Sequence, residues 1–142
     1  MRGKREKMGI PEQRIVVYIE DEPELIDLLR LIFKNEGIVI KAALKGEEGL
    51  ALVRELKPDL VLLDLMLPDM EGWEIFWKMQ QDAELEDIPV IVITVRTEGL
   101  VEGVWPQVQD LAGYLVKPFT VQELREAVSR ALGLASDEVG RC

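Results

Sequence analysis

A chain of 142 residues that is 48% hydrophobic and 31% charged has the size and composition of one globular domain able to bury its own core. Its formal net charge of −10 argues against broad, charge-driven binding to nucleic acid, and no apolar run approaches the roughly 20 residues of a membrane span. With no histidine and a single cysteine, Cys142, the chain cannot build a histidine-based triad, an imidazole zinc site, a thiolate cluster or an internal disulfide. Carboxylates, hydroxyls, lysine and a hard, oxygen-seeking metal are left to carry any chemistry.

Residues 1–13 read as a flexible lead-in; their charged start has no apolar core behind it, so a secretory signal is not expected and the cytoplasm is. Residues 14–19 (RIVVYI) form a buried strand that runs into Glu20-Asp21-Glu22-Pro23. Pro23 suits the first turn of a helix, and the acids before it suit the positive end of the helix dipole. Leu25, Leu28, Leu29 and Ile32 then recur at helical spacing until Asn35-Glu36-Gly37 stops the helix. Residues 38–44 make a weaker strand, and residues 46–56 a helix with Leu50, Val53 and Leu56 inward.

Leu60 to Leu63 are four apolar residues between Pro58-Asp59 and a Pro/Asp/Gly turn, the pattern of a strand buried on both faces, and Asp64 falls at its carboxyl end. Asp69 and Gly72 read as turn chemistry. A helix over about 72–81 points Ile75, Phe76 and Met79 at the core, with Trp73, Trp77 and Gln80 on a neighbouring stripe. The two tryptophans are read as packing beneath a loop, an exposed partner surface being the alternative. Residues 90–93 form the fourth strand, ending at Thr94, and residues 97–109 allow only a short or broken helix because Gly99, Gly103 and Pro106 interrupt them. Residues 114–116 are the last strand, ending at Lys117-Pro118. Thr120 and Glu123 have capping-box spacing; Val121, Leu124, Val128 and Leu132 give the final helix its inner stripe, Gly133 closes it, and residues 135–142 read as a frayed tail.

Five strands alternating with five helical segments predict an α/β fold, a three-layer sandwich around a five-stranded parallel sheet. In such a sheet the carboxyl ends of the strands share one edge, so Glu20, Asp21, Asp64, Thr94 and Lys117 can converge. Three carboxylates held together repel unless a cation joins them, and Mg²⁺ takes one or two carboxylates plus a phosphate. A metal, a lysine and a hydroxyl around one carboxylate are what phosphoryl transfer to that carboxylate requires.

Glu20-Asp21, the run Asp64 to Gly72 (DLMLPDMEG), Thr94 and Lys117-Pro118-Phe119 together resemble the receiver domain of bacterial two-component response regulators, over about residues 14–134. The resemblance implies a flavodoxin-like strand order 2-1-3-4-5. It implies that Asp64 accepts a phosphoryl group from a phosphohistidine on a sensor histidine kinase or phosphotransfer protein. Mg²⁺ would be held by Asp21, Asp64 and the backbone carbonyl of Met66, with Glu20 acting through water. Lys117 would pair with a phosphoryl oxygen, Thr94 would move to hydrogen-bond the phosphoryl group, and Tyr114 would turn inward to fill the vacated space. Family members commonly have a cis bond at the position of Lys117-Pro118. Such a module is a signalling protein rather than an enzyme, catalysing only its own phosphorylation and dephosphorylation. Its output goes to a further protein or domain, with a homodimer among the options. Because the sequence stops soon after the last predicted helix, the expectation is a receiver without a DNA-binding domain of its own, stand-alone or cut from a longer regulator.

Three features depart from the family pattern. Val95 stands where relatives usually have Ala or Gly and is expected to hinder access of a phosphodonor or of hydrolytic water. The segment containing Trp105-Pro106 occupies the place of the family's fourth helix, so the output surface is not expected to transfer unchanged. Met66 and Arg96 flank the pocket at positions that relatives vary. A constitutive, non-phosphorylated interaction module on the same fold is the alternative function. A hydrolase is disfavoured, since Met66 stands where phosphatases of this style place a second aspartate. A flavin-binding protein is disfavoured too, since acids rather than a phosphate-cradling loop follow the first strand.

Overall fold

Short runs of β-branched and aliphatic residues, too short for helices that could cover them, become the strands of one sheet. The computed structural model describes residues 13–95 and 110–134. The expected lead-in over 1–12, Arg96, the irregular 97–109 segment with its fifth helix, and the 135–142 tail lie outside the described residues. The strands are β1 (Arg14–Ile19), β2 (Ile38–Ala43), β3 (Leu60–Leu63), β4 (Val90–Thr94) and β5 (Gly113–Val116). All pair in parallel, in the order β2-β1-β3-β4-β5. Four helices are described: α1 (Pro23–Ile32), α2 (Gly46–Leu56), α3 (Gly72–Gln80) and α4 (Val121–Leu132).

The two-residue period of the strands divides the core into two layers. Val16, Tyr18, Leu60, Leu62, Ile91 and Ile93 pack against Ile26, Leu29 and Phe33 from α1 and its end, and against Leu124 and Val128 of α4. Val17, Ile19, Val61 and Leu63 face the other way, against Leu50 and Val53 of α2 and Ile75, Phe76 and Met79 of α3. The expected three-layer sandwich follows from that alternation. Thr120 and Glu123 form the predicted capping box, and Gly133, at φ 71°, closes α4 in the left-handed conformation that favours glycine. Among the described residues no helix is long and apolar enough to cross a membrane.

Helix faces are where the prediction needs correction. On α1 the buried positions are Ile26 and Leu29, while Leu28 is 39% exposed; on α4 Val121 is likewise exposed. Trp73 does pack, edge-on to Phe76 with ring centroids 6.0 Å apart. Trp77 does not: 52% of it remains exposed, so packing beneath a loop fails for that residue. Helical periodicity defines a stripe but not which margin of it meets a sheet, and the two misplaced residues, Val121 and Trp77, sit on such margins.

Candidate functional site

Register carries the strand ends to one edge. Ile19 lies level with Leu63, Leu63 with Val92, and Thr94 with Val116. Backbone bonding continues one step past the strands, from the Asp64 amide to the Ile19 carbonyl at 3.1 Å and from the Lys117 amide to the Thr94 carbonyl at 3.0 Å. Residues immediately after β1, β3 and β5 are therefore held as firmly as the sheet itself. They lie beside the point where the strand order reverses between β1 and β3, the crevice where parallel sheets hold ligands.

Lys117 is the hub. Its Nζ lies 2.9 Å from Glu20 Oε1, 3.0 Å from Asp64 Oδ2 and 3.1 Å from Glu22 Oε2, on a side chain only 11% exposed. Burial alone would lower the ammonium pKa, but the bonds to Glu20 and Asp64 outweigh it and raise it, so the lysine is held charged. Burial pushes the Glu20 carboxyl up to about 7, helped by the Asp64 charge and opposed by Lys117 and by the Tyr18 hydroxyl. Asp64 Oδ1 accepts from the Met66 amide at 2.9 Å, so each oxygen of that carboxylate has one protein donor. The Lys117–Pro118 peptide bond is cis, as the resemblance implied.

Of the residues singled out in the sequence, Glu20, Asp21, Asp64 and Lys117 are brought together. Thr94 is fully buried at the end of β4, and Tyr114 on the neighbouring strand is 41% exposed. The Met66 side chain is half exposed. Two site residues were missed. Glu22 looked like a dipole-complementing acid at a helix start, yet it shares Lys117. Tyr18 was hidden in an apolar strand, yet its hydroxyl donates to Glu20 Oε1 at 2.9 Å.

Oxygens of Glu20, Asp21, Glu22 and Asp64 lie within 4.8 Å of one another. This donor set is oxygen only and anionic, with Asp21 and Glu22 open to solvent, which fits a hard divalent ion that keeps part of its water shell, as Mg²⁺ does. An opening of about 430 Å³ beside the cluster is lined by Glu22, Leu28, Val95, Lys117 and Phe119. It explains the exposure of Leu28, and it puts Val95 at the mouth of the site.

The loop after Asp64 is anchored by two residues first read as turn chemistry. Asp69 accepts from the amides of Gly46 at 2.8 Å and Glu47 at 3.1 Å. These are free N–H groups of the first turn of α2, whose own N-cap Lys45 offers no side-chain cap. Those two bonds hold the Asp69 carboxyl below its ordinary pKa. Gly72 is needed for space rather than for a positive φ: a Cβ there would stand 2.4 Å from the Asp64 carbonyl oxygen and 2.8 Å from Leu65 Cα. Both are backbone atoms and cannot swing aside. Gly72→Ala is expected to destabilise the chain by about 1–3 kcal/mol, the usual cost of overpacking, and to shift the Asp64 amide resonance. Urea unfolding and an amide NMR spectrum check the two effects.

The sequence pattern of the response regulator receiver domain matches residues 16–129. The DNA-binding response regulator MtrA of Mycolicibacterium smegmatis is 35% identical over 92% of this chain and 55% of its own length. The phosphate regulon transcriptional regulatory protein PhoB of Rhizobium meliloti is 36% identical over 87% of this chain and 54% of its own. The chain thus spans about half the length of the curated relatives it matches. Among solved structures, a CheY-like response regulator receiver domain protein from Methanospirillum hungatei superposes with a TM-score of 0.76 at 25% identity, covering 86% of this chain and 95% of that one.

Proposed function

Because the chain belongs to the response regulator receiver domain family, we propose that it is a phosphorylation-switched module whose Asp64 accepts a phosphoryl group from a phosphohistidine of a partner histidine kinase or phosphotransfer protein. One observation carries this reading: residues following three different strands converge, with Lys117 Nζ within 3.1 Å of oxygens from Glu20, Glu22 and Asp64. In the transfer, an Asp64 oxygen forms the new O–P bond as the bond from phosphorus to the donor's imidazole nitrogen breaks, that nitrogen keeping the electron pair. Lys117 neutralises charge that builds on the phosphoryl oxygens, and the Met66 amide holds Asp64 in place. Asp21, Asp64 and the Met66 carbonyl would hold Mg²⁺, with Glu20 acting through water; when bound, the ion supplies further positive charge at the transferring group.

The switch is assigned to Thr94 and Tyr114. Thr94 is buried at the end of β4, while Tyr114, on the adjoining strand, is exposed. Phosphorylation would favour the conformation with both turned in. The reading makes the chain a signalling protein acting in the cytoplasm through protein contacts, catalysing only its own phosphorylation and dephosphorylation. That the match covers only 55% and 54% of the DNA-binding regulator MtrA and the transcriptional regulatory protein PhoB is consistent with an output located in a further domain or partner.

Incubation with acetyl phosphate and Mg²⁺ tests the assignment. The expected result is a gain of one phosphoryl group in the intact mass, abolished by Asp64→Asn. A chain that binds Mg²⁺ yet gains nothing from acetyl phosphate or phosphoramidate would instead be a constitutive interaction module, with Val95 at the mouth of the site the first residue to suspect.

A further inference from the structure

Tyr18 is the feature of this site that an apolar strand does not require. Its ring fills the α1/α4 layer among Val16, Leu60 and Leu62, a place that any large apolar side chain could take. Its hydroxyl, fully buried, needs a partner there, and donates to Glu20 Oε1 at 2.9 Å. Lys117 donates to the same oxygen at 2.9 Å, so two donors converge on Oε1. Oε2 receives only a longer bond of 3.3 Å from the Glu22 amide. The carboxylate is thereby clamped from one side, leaving Oε2 the less encumbered oxygen of a group that belongs to the acidic cluster with Asp21 and Asp64.

We propose that Tyr18 is a positioning residue for divalent-cation binding: its buried hydroxyl fixes the Glu20 carboxylate so that Oε2 is presented to a magnesium ion and its water shell. The inference rests on the receiver reading and deepens it. Lys117 alone cannot do the same work, because it is shared with Asp64 and Glu22 and is the group that must turn toward a phosphoryl oxygen. Among the described residues the Tyr18 hydroxyl donates to Glu20 alone. Groups that orient a metal's ligands without touching the metal typically change its affinity by about 10–100-fold when removed.

Titration of the metal-free chain with Mg²⁺ by calorimetry tests this in Tyr18→Phe, which keeps the ring and deletes only the hydroxyl. The expected result is a Kd about tenfold weaker than wild type. Phosphorylation by acetyl phosphate should need correspondingly more Mg²⁺ but reach the wild-type maximal rate at saturation, a split that a merely structural role would not produce. In a Glu20→Ala background, where the hydroxyl has no carboxylate left to orient, the same substitution should leave Kd unchanged. A Tyr18→Phe chain whose Kd stays within about twofold of wild type overturns the proposal and leaves the receiver reading intact. A wild-type chain that binds no Mg²⁺ overturns both.

Should Tyr18→Phe not fold, carbon-13 labelling at tyrosine Cζ gives a second readout. The chain has two tyrosines, so in Tyr114→Phe the single remaining resonance is that of Tyr18. It is expected to move along the Mg²⁺ binding isotherm. A resonance that stays still while Mg²⁺ binds overturns the proposal.

Discussion

Lys117→Met is expected to slow phosphoryl acceptance from acetyl phosphate by about 10²–10³-fold, the usual cost of removing one group aimed at charge that develops in the transition state. Methionine keeps most of the stem and removes the ammonium, which lies within 3.1 Å of three carboxylates. A second effect, on stability, accompanies the loss. Without its cation the cluster keeps Glu20 and Asp64 buried and mutually repelling, so the metal-free variant is expected to be less stable than wild type. Breaking a buried pair costs about 3–5 kcal/mol, and the solvent-facing side of this cluster puts the expected loss at or below the low end of that range. Mg²⁺ should then raise the melting temperature of Lys117→Met more than that of wild type, because a ligand that binds only the folded state stabilises it in proportion to the logarithm of its relative concentration. Melting curves in chelator and in millimolar Mg²⁺, run beside phosphorylation time courses, separate the two effects. A variant phosphorylated at the wild-type rate would reduce Lys117 to a counter-ion of the resting state.

The same residue shows how much of the site was legible in sequence. Each apolar run ends abruptly in a polar residue, and parallel strands of similar length must bring those ends to one edge; Glu20, Asp64, Thr94 and Lys117 were therefore readable from spacing alone. The strand order was not, since alternation of strands and helices fixes neither which strand is central nor where the chain reverses. Glu22 escaped because a carboxylate before a proline-started helix already has a sufficient local explanation. Tyr18 escaped because a two-residue period assigns faces and says nothing of a hydroxyl at the far end of a ring. Asp69 reaches back to residues 46 and 47, and the crowding at Gly72 comes from a backbone eight residues earlier. No local pattern encodes either contact. On α1, Leu28 shares the helical spacing of Leu25, Leu29 and Ile32, and it lines the opening beside Lys117. An apolar residue at that margin has two possible roles, and periodicity cannot choose between them.

Arg125→Met is expected to destabilise the fold by about 3–5 kcal/mol, the loss typical of removing one partner from a buried ion pair. Arg125, on α4, donates to Glu36 Oε2 and, at 3.1 Å, to the Ile32 carbonyl, one of the last carbonyls of α1. Its guanidinium also lies 5.8 Å from the centre of the Phe33 ring. The Glu36 side chain is only 6% exposed, and its Oε1 is buried with no hydrogen-bond partner among the described residues, so the carboxylate depends on Arg125 for compensation. Methionine would leave that charge stranded, whereas Arg125→Met combined with Glu36→Leu removes both charges and is expected to recover most of the loss. Guanidinium unfolding of both single variants and the double gives the coupling energy directly. The pair sits where α1 ends and the chain turns into β2; there Gly37 O accepts from the amide of Arg14 at the start of β1, the edge of the sheet opposite Asp64. Folded Arg125→Met should therefore accept phosphate at the wild-type rate, in contrast to Lys117→Met. A single variant within about 1 kcal/mol of wild type would mean that water reaches Glu36 once the arginine is gone, and that the contact between α1 and α4 rests on the apolar layer that includes Phe33, Leu124 and Val128.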